Sequence, residues 1–173
     1  KDWPQQLRLM FNLVMQDPQP VVLFWGPELI MIYNEPYIQL VGDLHPKAMG
    51  ASAPVFFGDE IWDIFRPIIS HNLETGKAFQ KADVPIFLTR HGYMEETYFS
   101  FRFIPVLGDD GQVLGHLEPV TEVTRQKIAD RRLSTLLNIS ERTANAPNLE
   151  IFWSLVVQVL AENERDIPFA LLY

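Results

Sequence analysis

Four histidines, His45, His71, His91 and His116, are the side chains best suited to proton transfer or metal ligation near neutral pH, and they stand far apart. No two fall at His-x-x-x-His spacing and no Glu-x-x-His occurs, so no pair shares a helical face at metal-ligand spacing. His45 precedes Pro46 in an aperiodic stretch and serves loop structure. His71 is the histidine best placed to ligate a haem, with a solvated or hydrogen-bonded imidazole as the competing reading. None has the look of a kinase phospho-acceptor. The acidic pairs Glu95-Glu96 and Asp109-Asp110 invite an acid–base reading. Neighbours on a strand point to opposite faces, however, and Asp109-Asp110 lies between two glycines as a turn. There is no Gly-x-Gly-x-x-Gly and no Gly-Lys-Ser/Thr. Zero cysteines removes disulfides, thiolate ligands, cysteine nucleophiles and cysteinyl–flavin adducts. These residues point away from an enzyme, and no cofactor is expected; freshly purified protein should be colourless.

A chain of 173 residues with 12 Phe, 5 Tyr and 4 Trp is long and apolar enough for one compact domain with appendages, which excludes disorder. Its densest apolar runs, such as Val21 to Trp25, fall far short of the ~20 residues a bilayer span needs. A net charge of −8 repels a phosphate backbone, and Arg131-Arg132 is too short a basic tract to offset it. No nucleic-acid partner and no membrane segment are therefore expected. The lack of cysteine fits a reducing, cytoplasmic setting. The chain starts at Lys1, and Asp166 to Tyr173 reads as an apolar strand with nothing to pair with, so it is expected to be part of a longer protein.

The elements that must position these residues are legible from period and punctuation. Leu7, Met10, Phe11 and Val14 fall at i, i+3, i+4 and i+7 behind Pro4, an amphipathic helix ended by Asp17 to Pro20. Val21 to Trp25 and Leu29 to Tyr33 form a hairpin about Gly26-Pro27-Glu28. Asn34 caps a short helix from Pro36 to Val41, closed by Gly42. Residues 43–58 read as loop with at most a helical turn. Asp59 then caps a helix with an Ile61, Phe65, Ile68, Ile69, Leu73 stripe, kinked at Pro67 and stopped by Gly76. Strands follow at Phe79–Thr89, Glu95–Leu107 and Gln112–Val120, the last two joined by the 108–111 turn. In the second, Phe99, Phe101 and Phe103 alternate with Tyr98, Ser100 and Arg102. The Phe row belongs to a core. The other row either faces a half-apolar cavity suited to a small polar or anionic ligand, or lies solvated on an uncovered part of the sheet. A charged amphipathic helix runs from Thr124 to Ala144, and another starts at Asn148. The fold class is α+β: a five-stranded antiparallel sheet with helices on one face, an N-terminal covering helix on the other and a long C-terminal helix.

Val21 to Val123 resembles the PAS domain, a sensor module of signalling proteins. The resemblance rests on Tyr33-Asn34-Glu35-Pro36-Tyr37, on Ser100 to Val106 ending in Pro105-Val106, on the Gly108 to Gly115 hairpin, and on Glu122-Val123-Thr124-Arg125-Gln126-Lys127. In the last motif Glu122 stands where the family usually carries Asp. The runs Trp25 to Glu28, Tyr33-Asn34, Gly42 to Pro46, Glu60 to Asp63 and His91 to Glu96 are similar to the first sensor domain of some hybrid histidine kinases. Residues 148–173 resemble the opening of a GAF domain.

The resemblance implies a covering helix (1–18), a sensor domain (19–123), a signalling helix (124–147) and the start of a second domain (148–173). It implies a non-catalytic module that detects a small ligand or partner and passes the change to a downstream output domain, a histidine kinase. The alternatives are a small-molecule-binding protein or enzyme built on the same cavity, and a haem or flavin sensor. Candidate ligand contacts are Asn34, Tyr37, Trp62, His71, Tyr98 and Arg102. Ala129, Leu133, Leu136 and Leu137 form a stripe suited to a parallel homodimer seam, against the reading that this helix folds back onto its own domain.

Overall fold

A computed structural model describes residues 3–171, which divide into two compact units, one ending at Thr124 and one starting at Arg125. In the first, α1 (Gln5–Gln16) precedes β1 (Val21–Trp25), β2 (Ile30–Tyr33), α2 (Glu35–Val41) and a single 3-10 turn (Gly42–Leu44). Then come α3 (Ala53–Thr75), β3 (Phe79–Thr89), β4 (Met94–Leu107) and β5 (Val113–Glu122). The five strands form one antiparallel sheet in the order β2-β1-β5-β4-β3. Connections that run down one edge and return to the middle leave β5 central, flanked by both halves of the sheet.

Two apolar layers follow from the period-two pattern. The inner face sends Val22, Phe24, Met31, Phe99, Phe101 and Phe103 under α2 and α3, where Phe24 stacks on Phe103 at 5.7 Å. The outer face of β1 and β2 lies under α1, where Leu7 and Val14 meet Val21 and Leu23. The covering helix thus sits on the free face, as its stripe requires. Phe11 packs edge-on against Trp3 at 5.2 Å.

Two local expectations are corrected. Residues 43–58 are more helical than their punctuation suggests, since α3 begins at Ala53. The break in α3 falls at Gly58, whose φ of 73° is open to glycine, and not at Pro67. Pro67 and Asp63 both lie on the exposed face, so the Asp63 carbonyl that loses its donor turns to water and the helix continues. In β3, Asp83 adopts a φ of 56° as the extra residue of a bulge, and its N–H donates to Ser100 Oγ at 3.1 Å.

The second unit holds α4 (Thr124–Thr143, its first residue closing the first unit) and α5 (Leu149–Ala161), the latter capped by Asn148 Oδ1 accepting from Ile151 N at 2.9 Å. Asp166 ties the turn after α5 to α4. It accepts from Arg131 Nε and Nη2 at 2.7 and 3.0 Å and from Arg132 Nε at 3.3 Å, and the Arg131 bonds foremost hold its carboxyl well below the usual range. Arg142 holds Glu162 through two bonds of 2.6 and 2.9 Å. The strand expected over 166–173 does not form in residues 167–171, and Leu172 and Tyr173 lie outside the described residues. Among the described residues no helix is long and apolar enough to cross a membrane.

Candidate functional site

The inner layer is not filled. Between α2, α3 and the sheet lies a cavity of about 50 Å³, enough for a water or two. Helical spacing brings Tyr37, Leu40 and Val41 of α2 to it, and Ile61, Trp62 and Phe65 of α3. The sheet contributes Phe24, Ile86, Leu88, Phe99, Phe101, Glu118 and Val120. Trp62 lies against Phe24 and Phe65 at 6.2 and 5.9 Å, so the aromatic walls brace one another.

Glu118 is the anomaly in this lining. It is 3% exposed, sits opposite Val22 in the sheet register, and accepts no hydrogen bond from any described residue. Burial pushes its carboxyl well above the usual carboxylate range. Tyr37 is raised likewise, by burial first and then by the charges of Glu118 and Tyr33. Two residues along β5, His116 is 2% exposed, and burial lowers it to about 4. Asn72 Nδ2 donates to the Lys77 carbonyl at 2.6 Å, which leaves Asn72 Oδ1 to accept from His116 Nδ1 at 3.1 Å. The imidazole is therefore neutral and structural.

These two groups act in opposite senses on stability. His116 favours the fold fully above about pH 6.5, and that contribution is lost as pH falls towards 4. Glu118, whose carboxyl burial raises, favours the fold below about pH 4.5 and loses that contribution as pH rises. Acidification from pH 7 thus weakens one contribution while strengthening the other. Glu118→Gln removes the compensation, so its thermal midpoint should drop more steeply between pH 7 and 4.5 than that of wild type. Parallel curves would contradict this assignment.

A second polar cluster holds the start of α4. Arg90, 6% exposed, donates through Nη1 and Nη2 to both oxygens of Glu122 at 2.8 and 2.9 Å. It also donates through Nε to Glu95 at 3.3 Å and through Nη1 to the Leu40 carbonyl at 3.1 Å. Its hydrogen bonds to Glu122 foremost raise its pKa. Glu122 accepts in turn from Thr124 Oγ1 at 2.8 Å, and that hydroxyl accepts from the Tyr98 N–H at 2.9 Å. Gly42 is required here, because its φ is 52° and a Cβ would come within 2.6 Å of the Arg90 carbonyl oxygen. Glu122 thus makes a full bidentate pair with Arg90.

Of the six candidate ligand contacts, the structure brings Tyr37 and Trp62 together in the cavity lining. The other four lie elsewhere. Asn34 is a structural bracket: Oδ1 accepts from Val21 N and Tyr37 N, and Nδ2 donates to the Asp17 and Gln19 carbonyls. His71 is half-buried with its ring edge-on to Phe79 at 5.7 Å, away from the cavity, because its helical phase belongs to the flank of α3. Tyr98 and Arg102 are on the outer face, beyond the reach of α1; Tyr98 Oη donates to Glu96 at 2.7 Å and Arg102 is exposed. In that row only Arg102 is exposed; Tyr98 and Ser100 are half-buried, and Ser100 and Arg102 line an open groove with Gln80, Lys81 and Thr121. Sequence reasoning singled out neither Glu118 nor Arg90 and gave His116 no role beyond its place among the four histidines. For Glu118 and His116 the signal was a polar residue inside a strand with both faces covered, whereas Arg90 lies just past the end of β3.

No protein-family profile and no curated protein matches the chain. Solved structures do. The PAS domain of Bordetella pertussis BvgS matches with a TM-score of 0.52 and 19% identity over 77% of this chain and 97% of that one. A Rhodobacter sphaeroides LOV protein matches with a TM-score of 0.55 and 16% identity, over 93% and 97%. An RNA-binding Light-Oxygen-Voltage receptor matches with a TM-score of 0.52 and 17% identity over 83% of this chain; the chain spans 40% of its length. The fold is that of PAS and LOV domains.

Proposed function

We propose that this chain is a non-catalytic sensory module in which occupancy of the inner cavity is passed to α4 and on to an output domain of a longer protein, a histidine kinase reached through a GAF-like domain. The observation that carries this reading is the continuity between cavity and helix root. Leu40, Leu88 and Val120 line the cavity. The Leu40 carbonyl accepts from Arg90, Leu88 lies two residues before Arg90, and Val120 lies two before Glu122. A ligand that moves these walls moves the groups that hold Thr124. The likeness of the fold to the BvgS PAS domain and to LOV proteins supports a signalling role. Glu118 is the sole carboxyl in the lining, and no His, Lys or second carboxyl joins it there, which favours sensing over turnover.

The output surface in this reading is the face of α4 that the second unit leaves open. Leu133, Leu136 and Leu137 are 55%, 65% and 54% exposed, and Ala129 is exposed beside them. A second copy of this chain is the partner that fits. Arg131, Arg132 and Arg142 are already paired with Asp166 and Glu162 within the protomer, which lowers the like charge along the stripe beside Arg125. Wild type should scatter light as a dimer, and Leu133→Asp with Leu136→Asp should give a folded monomer. A wild-type monomer at high concentration, or a dimer indifferent to both substitutions, would overturn the proposal.

A further inference from the structure

The cavity carries more information than its existence. Building on the reading of it as the sensory site, we infer that it selects a small, mostly apolar molecule bearing one basic nitrogen, such as a nitrogen heterocycle or a compact amine, with the Glu118 carboxyl as its single polar anchor.

The lining sets the class. Apart from Glu118 and the Tyr37 phenol it consists of aliphatic and aromatic side chains, so a ligand with many polar groups would leave them unpaired. No Lys, Arg or His lines it, so a carboxylate or phosphate would enter beside an acid with no cation to receive it. Glu118 itself is 97% covered, and its carboxyl, bonded by no described side chain or backbone N–H, opens onto the cavity rather than being sealed in protein, while the other buried polar groups of this unit are bracketed: Asn34 by four bonds, His116 by Asn72, Arg90 by Glu122, Glu95 and Leu40. A carboxyl left this way in an apolar box donates its proton to a nitrogen lone pair and, where the nitrogen is basic enough, transfers it to form a charge-assisted bond. The rings of Phe24, Trp62 and Phe65 line the same cavity, and aromatic faces attract a cation. Burial of Glu118 supports the same exchange, because a partner restores what desolvation removes.

The cavity volume also sets size. About 50 Å³ suits a ring of five or six atoms only if the walls give, and the side chain best placed to yield is Phe57, half-buried in the lining and adjacent to the Gly58 break. Glu118 would therefore meet its ligand at the inner end of a pocket whose outer wall adjusts.

The test is a set of isosteres added to the 173-residue chain and followed by amide NMR shifts: pyridine, benzene and acetate. Pyridine is expected to shift the amides of Glu118 and Val120 and to bind at least tenfold more tightly than benzene, and acetate is expected to leave those amides in place. In Glu118→Leu, which keeps the volume, pyridine should fall to the affinity of benzene, whereas Tyr37→Phe should keep the preference. The wild-type comparison stands without any variant, should Glu118→Leu fail to fold. Equal binding of pyridine and benzene, or a pyridine preference that survives Glu118→Leu, would overturn the inference while leaving the cavity as a binding site. Binding of neither ring would overturn the sensory reading as well.

Discussion

Deleting residues 1–16 should lower the stability of the first unit by about 3–6 kcal/mol and turn a well-behaved chain into one that aggregates. The estimate counts only Leu7 and Val14, which α1 buries almost fully on the outer face, at roughly 1.5–3 kcal/mol each. The loss has a second part, because Val21, Leu23, Ile32 and Leu117 then face water as one apolar patch on a sheet. The deletion stops short of Asp17, whose carbonyl accepts from Asn34 Nδ2 at 2.9 Å, so the bracket that ties β1 to α2 survives. Urea unfolding and light scattering measure the two parts separately. A truncated chain as stable and as monodisperse as the full one would show that α1 contributes nothing to the sheet.

Arg90→Met should cost about 2–4 kcal/mol. Removing one partner of a buried pair leaves the other charge short of its partner: Glu122 loses both guanidinium bonds, while Glu95 keeps its 2.7 Å contact with His91. The lower end allows for Glu122, whose side chain is 25% exposed and partly solvated. Adding Glu122→Met should recover a large part of the loss, since the apolar pair no longer holds an unpaired acid. The double variant should also free the start of α4, because the Thr124 hydroxyl loses the carboxylate it donates to. Urea unfolding of both variants checks the stability terms, and hydrogen exchange at Thr124 checks the local one. A double variant less stable than Arg90→Met alone would show that the cluster is held by something other than this pair.

The elements of this chain were legible where one periodicity acted alone. The Phe99, Phe101, Phe103 row declares both a strand and its buried face, and Leu7, Met10 and Val14 declare a helix that needs a sheet to lie on. The site was less legible for a topological reason. Alternation assigns polar residues of a strand to water, but β5 is central and both of its faces are covered, so His116 and Glu118 go inward while Leu117 goes under α1. Nothing local to residues 112–122 says so; the strand order does. The same topology exchanges the arginines. Arg102 draws notice because it alternates with phenylalanines, yet it faces outward, while Arg90 at the end of β3 is brought by pairing beside Glu122. Pro67 and Gly58 show the remaining limit: a proline's cost depends on whether water can take the orphaned carbonyl, which is set by packing rather than sequence.

Coupling of the inner cavity to Thr124 and the helix it starts is the central proposal. Its most direct test is an amide NMR titration with whichever of pyridine and benzene binds more tightly, reading Glu118 and Val120 in the wall together with Val123, Thr124 and the α4 amides beyond them. A ligand can shift α4 only through a difference in its affinity for two arrangements of these walls, so both sets of signals must report one event. The two sets should move together, with the same midpoint, and the α4 response should be lost in Arg90→Met/Glu122→Met while the cavity response persists. Shifts confined to the cavity wall at saturation, with Thr124 and α4 unmoved, would contradict it.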